Sequence, residues 1–393
     1  MPKTTKYHVS QRANSLSPSG IRRFFDLLYS MEGVISLGVG EPDYATPWHI
    51  SEAAIESLKR GETAYTPNSG TPELRNALSS FLAEEYEVEY APGSELLVTV
   101  GVSEGMDLAM RAILDPGDEV IMPDPCYVSY PSCVILAEGK PVFVPTCEEN
   151  NFEVEAADIE ARVTPRTKAI FIGFPSNPTG AVMSREKLAA IGEVARRHNL
   201  MVVSDEIYAK LVYNGEHTCF SSLPGMKERT ILLGGFSKAY AMTGWRIGYA
   251  AAPAEIIAAM TKIHQYTMMC ASTMAQVAAI EAIESGEEAA RAMVEDYNRR
   301  RRLIVKGFNE IGLHCFEPKG AFYAFPSIKS TGMSSEDFAE KLLTEEKVAV
   351  VPGSAFGEYG EGYVRACYAT SMSDIEEALA RMKKFVHRYQ KEA

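Results

Sequence analysis

Gly235-Phe236-Ser237-Lys238-Ala239-Tyr240-Ala241-Met242-Thr243-Gly244-Trp245-Arg246 is the stretch on which the reading of this chain turns. It sets one lysine among apolar and small residues, with an arginine eight positions further on. Desolvation lowers the pKa of an ammonium, and a neighbouring cation such as Arg246 lowers it further. Lys238 therefore reads as a Schiff-base amine, and pyridoxal 5'-phosphate as the carbonyl compound it would bind. The dipeptide Ser237-Lys238 alone would read as a solvated lysine at a strand end, because most lysines are surface groups.

Working outward, residues 95–250 alternate β-branched apolar runs with helical patterns, which is the arrangement of a parallel sheet covered on both faces. The expected strands are 96–100, 119–122, 141–144, 169–173, 201–204, 230–234 and 247–251, with helices over 103–114 and 185–198 between them. The fold class is α/β, with a sheet of about seven mostly parallel strands between helices. In such sheets, functional loops gather beyond the carboxyl ends of the strands, where Ser103, Asn177, Asp205 and Lys238 all fall. After Glu287 a long helical pattern leads to strands near 321–325, 348–351 and 363–368 and a closing helix over 374–389. The expected division is an N-terminal segment 1–45 packing with a small α+β domain 287–393, and a large domain 46–286. The turn-rich Ser19-Gly20-Ile21-Arg22-Arg23-Phe24 and Gly38-Val39-Gly40-Glu41-Pro42-Asp43 belong to that first segment.

Pyridoxal chemistry needs its ring nitrogen kept protonated by a buried carboxylate, and Asp205, closing the apolar run 201–204, fits that role. A lone acid at a strand end is otherwise a helix cap. Tyr208 would reach the ring's 3-hydroxyl oxygen from one side and Asn177 from the other. Singly, Asn177-Pro178 is a turn signal and Tyr208 a core aromatic. The turn Gly101-Val102-Ser103-Glu104 opens a helix, so its backbone amides would hold the phosphate, with Ser103 as main contact. Arg246 would supply positive charge and Ser237 a hydroxyl. Tyr127 would stack on the pyridine ring, or simply pack in the core.

These motifs resemble the class I aminotransferases of fold type I, in the aspartate and aromatic amino acid subgroup, over nearly the whole chain. Besides the lysine run, Ala64-Tyr65-Thr66-Pro67-Asn68-Ser69-Gly70-Thr71-Pro72-Glu73-Leu74-Arg75, Pro175-Ser176-Asn177-Pro178-Thr179-Gly180, Ser204-Asp205-Glu206-Ile207-Tyr208 and Pro352-Gly353-Ser354-Ala355-Phe356-Gly357 follow in the family's order. The resemblance implies a homodimer in which Tyr65 reaches the phosphate of the other subunit. It implies that Arg365 clamps the substrate α-carboxylate, aided by the backbone of Gly40 and by Asn177; the planar fork of arginine suits that task. Gly235 departs from the family, where serine is usual, so one hydrogen bond to the phosphate or the lysine is missing. The implied reaction is ping-pong transfer of an amino group from an L-amino acid, aspartate or aromatic favoured, to 2-oxoglutarate, with Lys238 as anchor and general acid/base. N-acetyl-diaminopimelate and alanine aminotransferases, a β-lyase on the same fold, and a non-catalytic sensor are the rival readings.

The formal charge of −13 argues against nucleic acid as a partner, and the run Arg299–Arg302 is read as a solvated helix face. Seven scattered cysteines without a Cys-x-x-Cys suit a reducing compartment, and seven histidines without ligand spacing suggest no metal. No stretch reads as a signal peptide or membrane span, so a cytoplasmic protein is expected. Neither a phosphate-loop nor a dinucleotide fingerprint is present.

Overall fold

In a computed structural model that describes residues 9–16 and 31–390, β1 (Ile35–Ser36) and three helices, Gln11–Ser15, Trp48–Lys59 and Pro72–Tyr86, precede the central sheet. The sheet comprises β2 (Leu96–Thr99), β3 (Glu119–Asp124), β4 (Lys140–Pro145), β5 (Thr167–Gly173), β6 (Met201–Asp205), β7 (Thr230–Gly235) and β8 (Gly248–Ala251). Its spatial order is β2-β8-β7-β6-β5-β3-β4. Only β8 runs against its neighbours; the other pairings are parallel. Successive side chains on a strand point to opposite faces, so a strand apolar throughout needs cover on both sides. Val120, Met122, Phe171 and Val203 pack with the helices Gly101–Ile113 and Ala254–Thr267, while Ile121, Ile170 and Val202 pack with Arg185–Arg197.

The helix Glu287–Glu310 leads to β9 (Tyr323–Ala324), β10 (Val348–Ala349), β11 (Val351–Pro352), β12 (Val364–Cys367) and the closing helix Met372–Gln390. Strands β11, β12 and β9 form a small antiparallel sheet, and β1 pairs in parallel with β10. The single strand expected over 348–351 is thus two, paired with different partners. The strand expected over 321–325 is shortened to two residues, and Ala321 at φ 54° interrupts its start. The motif Ser19–Phe24 lies outside the described residues.

The arginine run needs correction. Arg299 and Arg302 are exposed, but Arg300 and Arg301 are buried. The 3.6-residue period turns the latter two inward with Tyr297 and Ile304. Arg300 pairs with Asp43 at 2.8 Å and Arg301 with Glu317 at 2.6 Å. All seven cysteines are free thiols. Among the described residues no helix is long and apolar enough to cross a membrane.

The carboxyl ends of the six like-directed strands β2, β3, β4, β5, β6 and β7 lie at one edge of the sheet, and the start of antiparallel β8 lies there too. Two glycines permit the close approach at that edge. A Cβ on Gly248 would stand 2.9 Å from the backbone of Gly101 and Val102, and one on Gly101, at φ 74°, would stand 2.8 Å from Arg246 Nη2. Gly248→Ala should therefore destabilise the fold by about 1–3 kcal/mol, the usual range for overpacking. Gly244→Ala, where a Cβ meets nothing within 4 Å, is the control and should leave the thermal melting curve in place.

Candidate active site

A cavity of about 910 Å³ opens at this edge, and Lys238, Asp205, Arg246, Arg365, Asn177, Tyr208, Ser103, Ser237, Tyr127 and Gly40 all line it. Lys238 follows β7, and its Nζ donates to the carbonyl oxygen of Gly40 at 2.7 Å. The amine stands 5.7 Å and 5.9 Å from the ring centres of Phe322 and Tyr208. Burial lowers its pKa to about 8; Cys367 and Glu41 oppose the shift, and Arg365 and Arg246 reinforce it. The sequence assigned that effect partly to Arg246, but desolvation is the larger cause.

Asp205, at the end of β6, is 4% exposed, and burial raises its carboxyl to about 6 against the pull of its hydrogen-bond donors. Those donors are the Tyr130 hydroxyl at 2.9 Å and the Ile207 amide at 3.1 Å. Tyr130 was not singled out from the sequence, although it lies three residues after Tyr127, against whose ring it packs edge-on. It also stacks on Phe171 with ring centres 4.2 Å apart.

Arg365, on β12, is 3% exposed, and no carboxylate among the described residues pairs with it. Nη1 donates to Asn177 Oδ1 at 2.9 Å and Nη2 to the Gly38 carbonyl at 2.6 Å, while Nε is buried without a partner. The Gly40 backbone, expected to help bind the substrate carboxylate, lines the cavity with its carbonyl on Lys238, and the Gly38 carbonyl is the one that reaches Arg365. A Cβ on Gly40 would run into the Tyr323 hydroxyl. Tyr323, also missed in the sequence, shares a 2.6 Å hydrogen bond with the Tyr208 hydroxyl and places its ring 4.5 Å from the Arg365 guanidinium. The long sequence separation of these partners leaves no local signal.

At the other end of the cavity stand Ser103, Ser237 and the exposed Arg246, whose Nη1 donates to the Thr243 carbonyl at 3.0 Å. The helix Gly101–Ile113 begins here, and first-turn amides have no intrahelical acceptor. Two hydroxyls, free amides and a guanidinium are a donor set that fits a phosphate. Glu104 does not line the cavity: its carboxylate accepts from the Val100 amide at 2.6 Å and contacts His264 Nδ1 at 2.6 Å. The helical turn points it toward the buried His264 instead. Tyr65 lies outside the cavity and is 82% exposed. At Gly235 a Cβ would sit 3.1 Å from Ile207 and 3.2 Å from Val102, so these side chains occupy the room that a serine would take. Among the described residues no cluster of His, Cys, Asp and Glu could hold a metal.

An apolar-walled cavity with a desolvated lysine, a buried acid, a set of donors suited to a phosphate and an arginine without a carboxylate partner is the arrangement expected of a pyridoxal-phosphate site. Comparison with known proteins agrees. The family described as aminotransferase class I and II matches residues 32–382. A putative aminotransferase, YugH, of Bacillus subtilis is 57% identical over 381 residues, covering 97% of this chain and 99% of that one. An aspartate aminotransferase of Pyrococcus abyssi is 48% identical over 379 residues, covering 96% and 97%. The crystal structure of an aromatic aminotransferase from Pyrococcus horikoshii superposes with a TM-score of 0.89 at 45% identity, covering 93% of this chain and 99% of that one. The chain belongs to the class I and II aminotransferases and has their type I fold.

The lowered amine pKa can be read directly. With cofactor-free protein, a small aldehyde and borohydride, trapping at Lys238 should rise with pH through a midpoint near 8, followed by mass spectrometry; a midpoint near 10.5 would show an ordinary solvated amine.

Proposed function

We propose that this enzyme transfers the amino group of an L-amino acid of the aspartate or aromatic type to 2-oxoglutarate in a ping-pong cycle. The observation that carries the proposal is that the desolvated Lys238 amine and the carboxylate-free Arg365 guanidinium face one cavity. Pyridoxal phosphate supplies the electron sink that accepts the pair left behind when the substrate's α-proton departs. In this reading, Arg246, Ser103, Ser237 and the amides at the start of Gly101–Ile113 hold its phosphate. Asp205 would keep the ring nitrogen protonated, since a buried carboxylate gains most from a cationic N–H partner. Tyr127 would wall the ring face, and Tyr208 and Asn177 would serve the 3-hydroxyl oxygen.

Arg365 would take the substrate α-carboxylate in its fork, with Gly38 and Asn177 as the groups that yield or share their bonds. Lys238 would bind the cofactor, release it to the incoming amine, and then move the α-proton through Nζ. An amine poised near pH 8 is suited to both directions of that transfer. Among the described residues the only cations lining the cavity are Lys238, Arg246 and Arg365, whereas Leu16, Ile135 and Phe143 give it an apolar flank. That flank favours an aromatic side chain over a second carboxylate. A homodimer is part of the proposal: the exposed Tyr65 would serve the other subunit's phosphate.

The test is a visible spectrum of the enzyme loaded with pyridoxal phosphate during single additions of L-tyrosine, L-aspartate, L-glutamate and L-alanine. A true donor should bleach the band of the lysine-bound cofactor, and 2-oxoglutarate should restore it. Release of pyruvate and ammonia would instead indicate a lyase, and a band that no amino acid changes would favour a sensor. Arg365→Lys keeps the charge but loses the fork, so KM for donor and acceptor should rise by roughly tenfold or more while the band forms normally.

A further inference from the structure

Asp124 closes β3 and is 3% exposed, yet no cation among the described residues pairs with it. Its carboxylate is bonded instead to the loop between β11 and β12: Oδ2 accepts from the Glu358 amide at 3.1 Å and Oδ1 from the Tyr359 amide at 3.3 Å. Two residues on, the Cys126 amide donates to the Phe356 carbonyl at 3.0 Å. The seat is close, since Gly357 stands at φ 138° and a Cβ there would overlap the Asp124 carboxylate. Phe356 in turn places its ring 4.9 Å from the Arg365 guanidinium and lines the cavity. A cation over an aromatic face is held electrostatically, more so when desolvated.

We infer that Asp124 is a positioning residue for substrate binding: by holding the amides of residues 358 and 359 it fixes Phe356 against Arg365, and so sets the aim of the carboxylate clamp. The inference rests on the proposed role of Arg365. It gives a buried, unpaired acid outside the catalytic group a function in linking the central sheet to the loop that borders Arg365. Hydrogen bonds to a charged acceptor are the stronger kind, and two of them close one short loop. Burial raises the Asp124 carboxyl to about 6, with the two amides pulling it down and Glu358 pushing it up. The other titratable group facing it is the buried Cys126 thiol, itself raised to a value above the range in which it would ionise. Protonation below about pH 6 would weaken the same bonds that a mutation removes.

The experiment uses the enzyme loaded with pyridoxal phosphate. Asp124→Asn conserves volume but turns an amide NH2 toward a backbone N–H; Phe356→Leu leaves the Asp124 bonds intact and removes the ring. Each should raise KM for the amino donor, and the inhibition constant of 3-phenylpropionate, about tenfold, while kcat changes less than about twofold and cofactor affinity holds. In an Arg365→Lys background, Asp124→Asn should add less than about twofold, because the group it aims is already lost. The difference between Asp124→Asn and the unaltered enzyme should narrow below pH 6. If Arg365→Lys weakens carboxylate binding and Asp124→Asn does not, the inference falls and the clamp stands. If Arg365→Lys has no effect on KM, both fall. A uniform loss of kcat, cofactor affinity and melting temperature in Asp124→Asn would also overturn it, showing a merely structural acid.

Discussion

Two cations in the interior, the Lys238 ammonium and the Arg365 guanidinium, are held by neutral acceptors rather than by carboxylates. Gly40 and Gly38 offer carbonyl oxygens and Asn177 a side-chain oxygen. Burying a charge without a counter-charge is unfavourable, so this arrangement persists only because the surrounding fold over-determines it. In the same cavity, Asp205 is bonded to a tyrosine and an amide, and no cation among the described residues forms an ion pair with it. The site is thus short of one anion beside Arg365 and one cation beside Asp205, and a ligand carrying both would relieve both deficits.

The segment that supplies the carbonyls is tied at several points. Leu37 donates to the Ala349 carbonyl at 2.9 Å and its own carbonyl accepts from Cys367 at 2.7 Å, which sets the strand next to β10 and β12. Further along, Asp43 meets Arg300 at 2.8 Å, and the Tyr44 hydroxyl donates to Asp296 at 2.7 Å. Partly buried ion pairs of this kind gain from geometry more than exposed ones do. Arg300 thus ties the segment that carries Gly38 and Gly40 to the long helix Glu287–Glu310, although it does not line the cavity itself.

Much of the architecture was legible in the chain itself. All seven central strands fall where apolar runs predicted them; those buried throughout, such as β3 and β8, cannot carry exposed polar stretches and so announce themselves, whereas the edge strand β4 is partly exposed. The loops at their carboxyl ends carry the motif residues, which the parallel order gathers at one edge. Side chains that meet only through space left no such mark. Tyr323 is 115 residues from Tyr208, whose hydroxyl it binds, and Tyr130 is 75 from Asp205. Glu104 sits inside a motif, yet one helical turn gives it to His264 instead.

Residue type and order along the chain determined the sheet, the helix starts and which side chains could do chemistry, because propensity, period and turn residues act locally. The tertiary structure decided which partner each group keeps. It lowered Lys238 to about 8, raised Asp205 to about 6, left Arg365 Nε without an acceptor and filled the space at Gly235 with Val102 and Ile207. Those outcomes depend on desolvation and on distances between elements far apart in sequence, and neither quantity exists until the layers have packed.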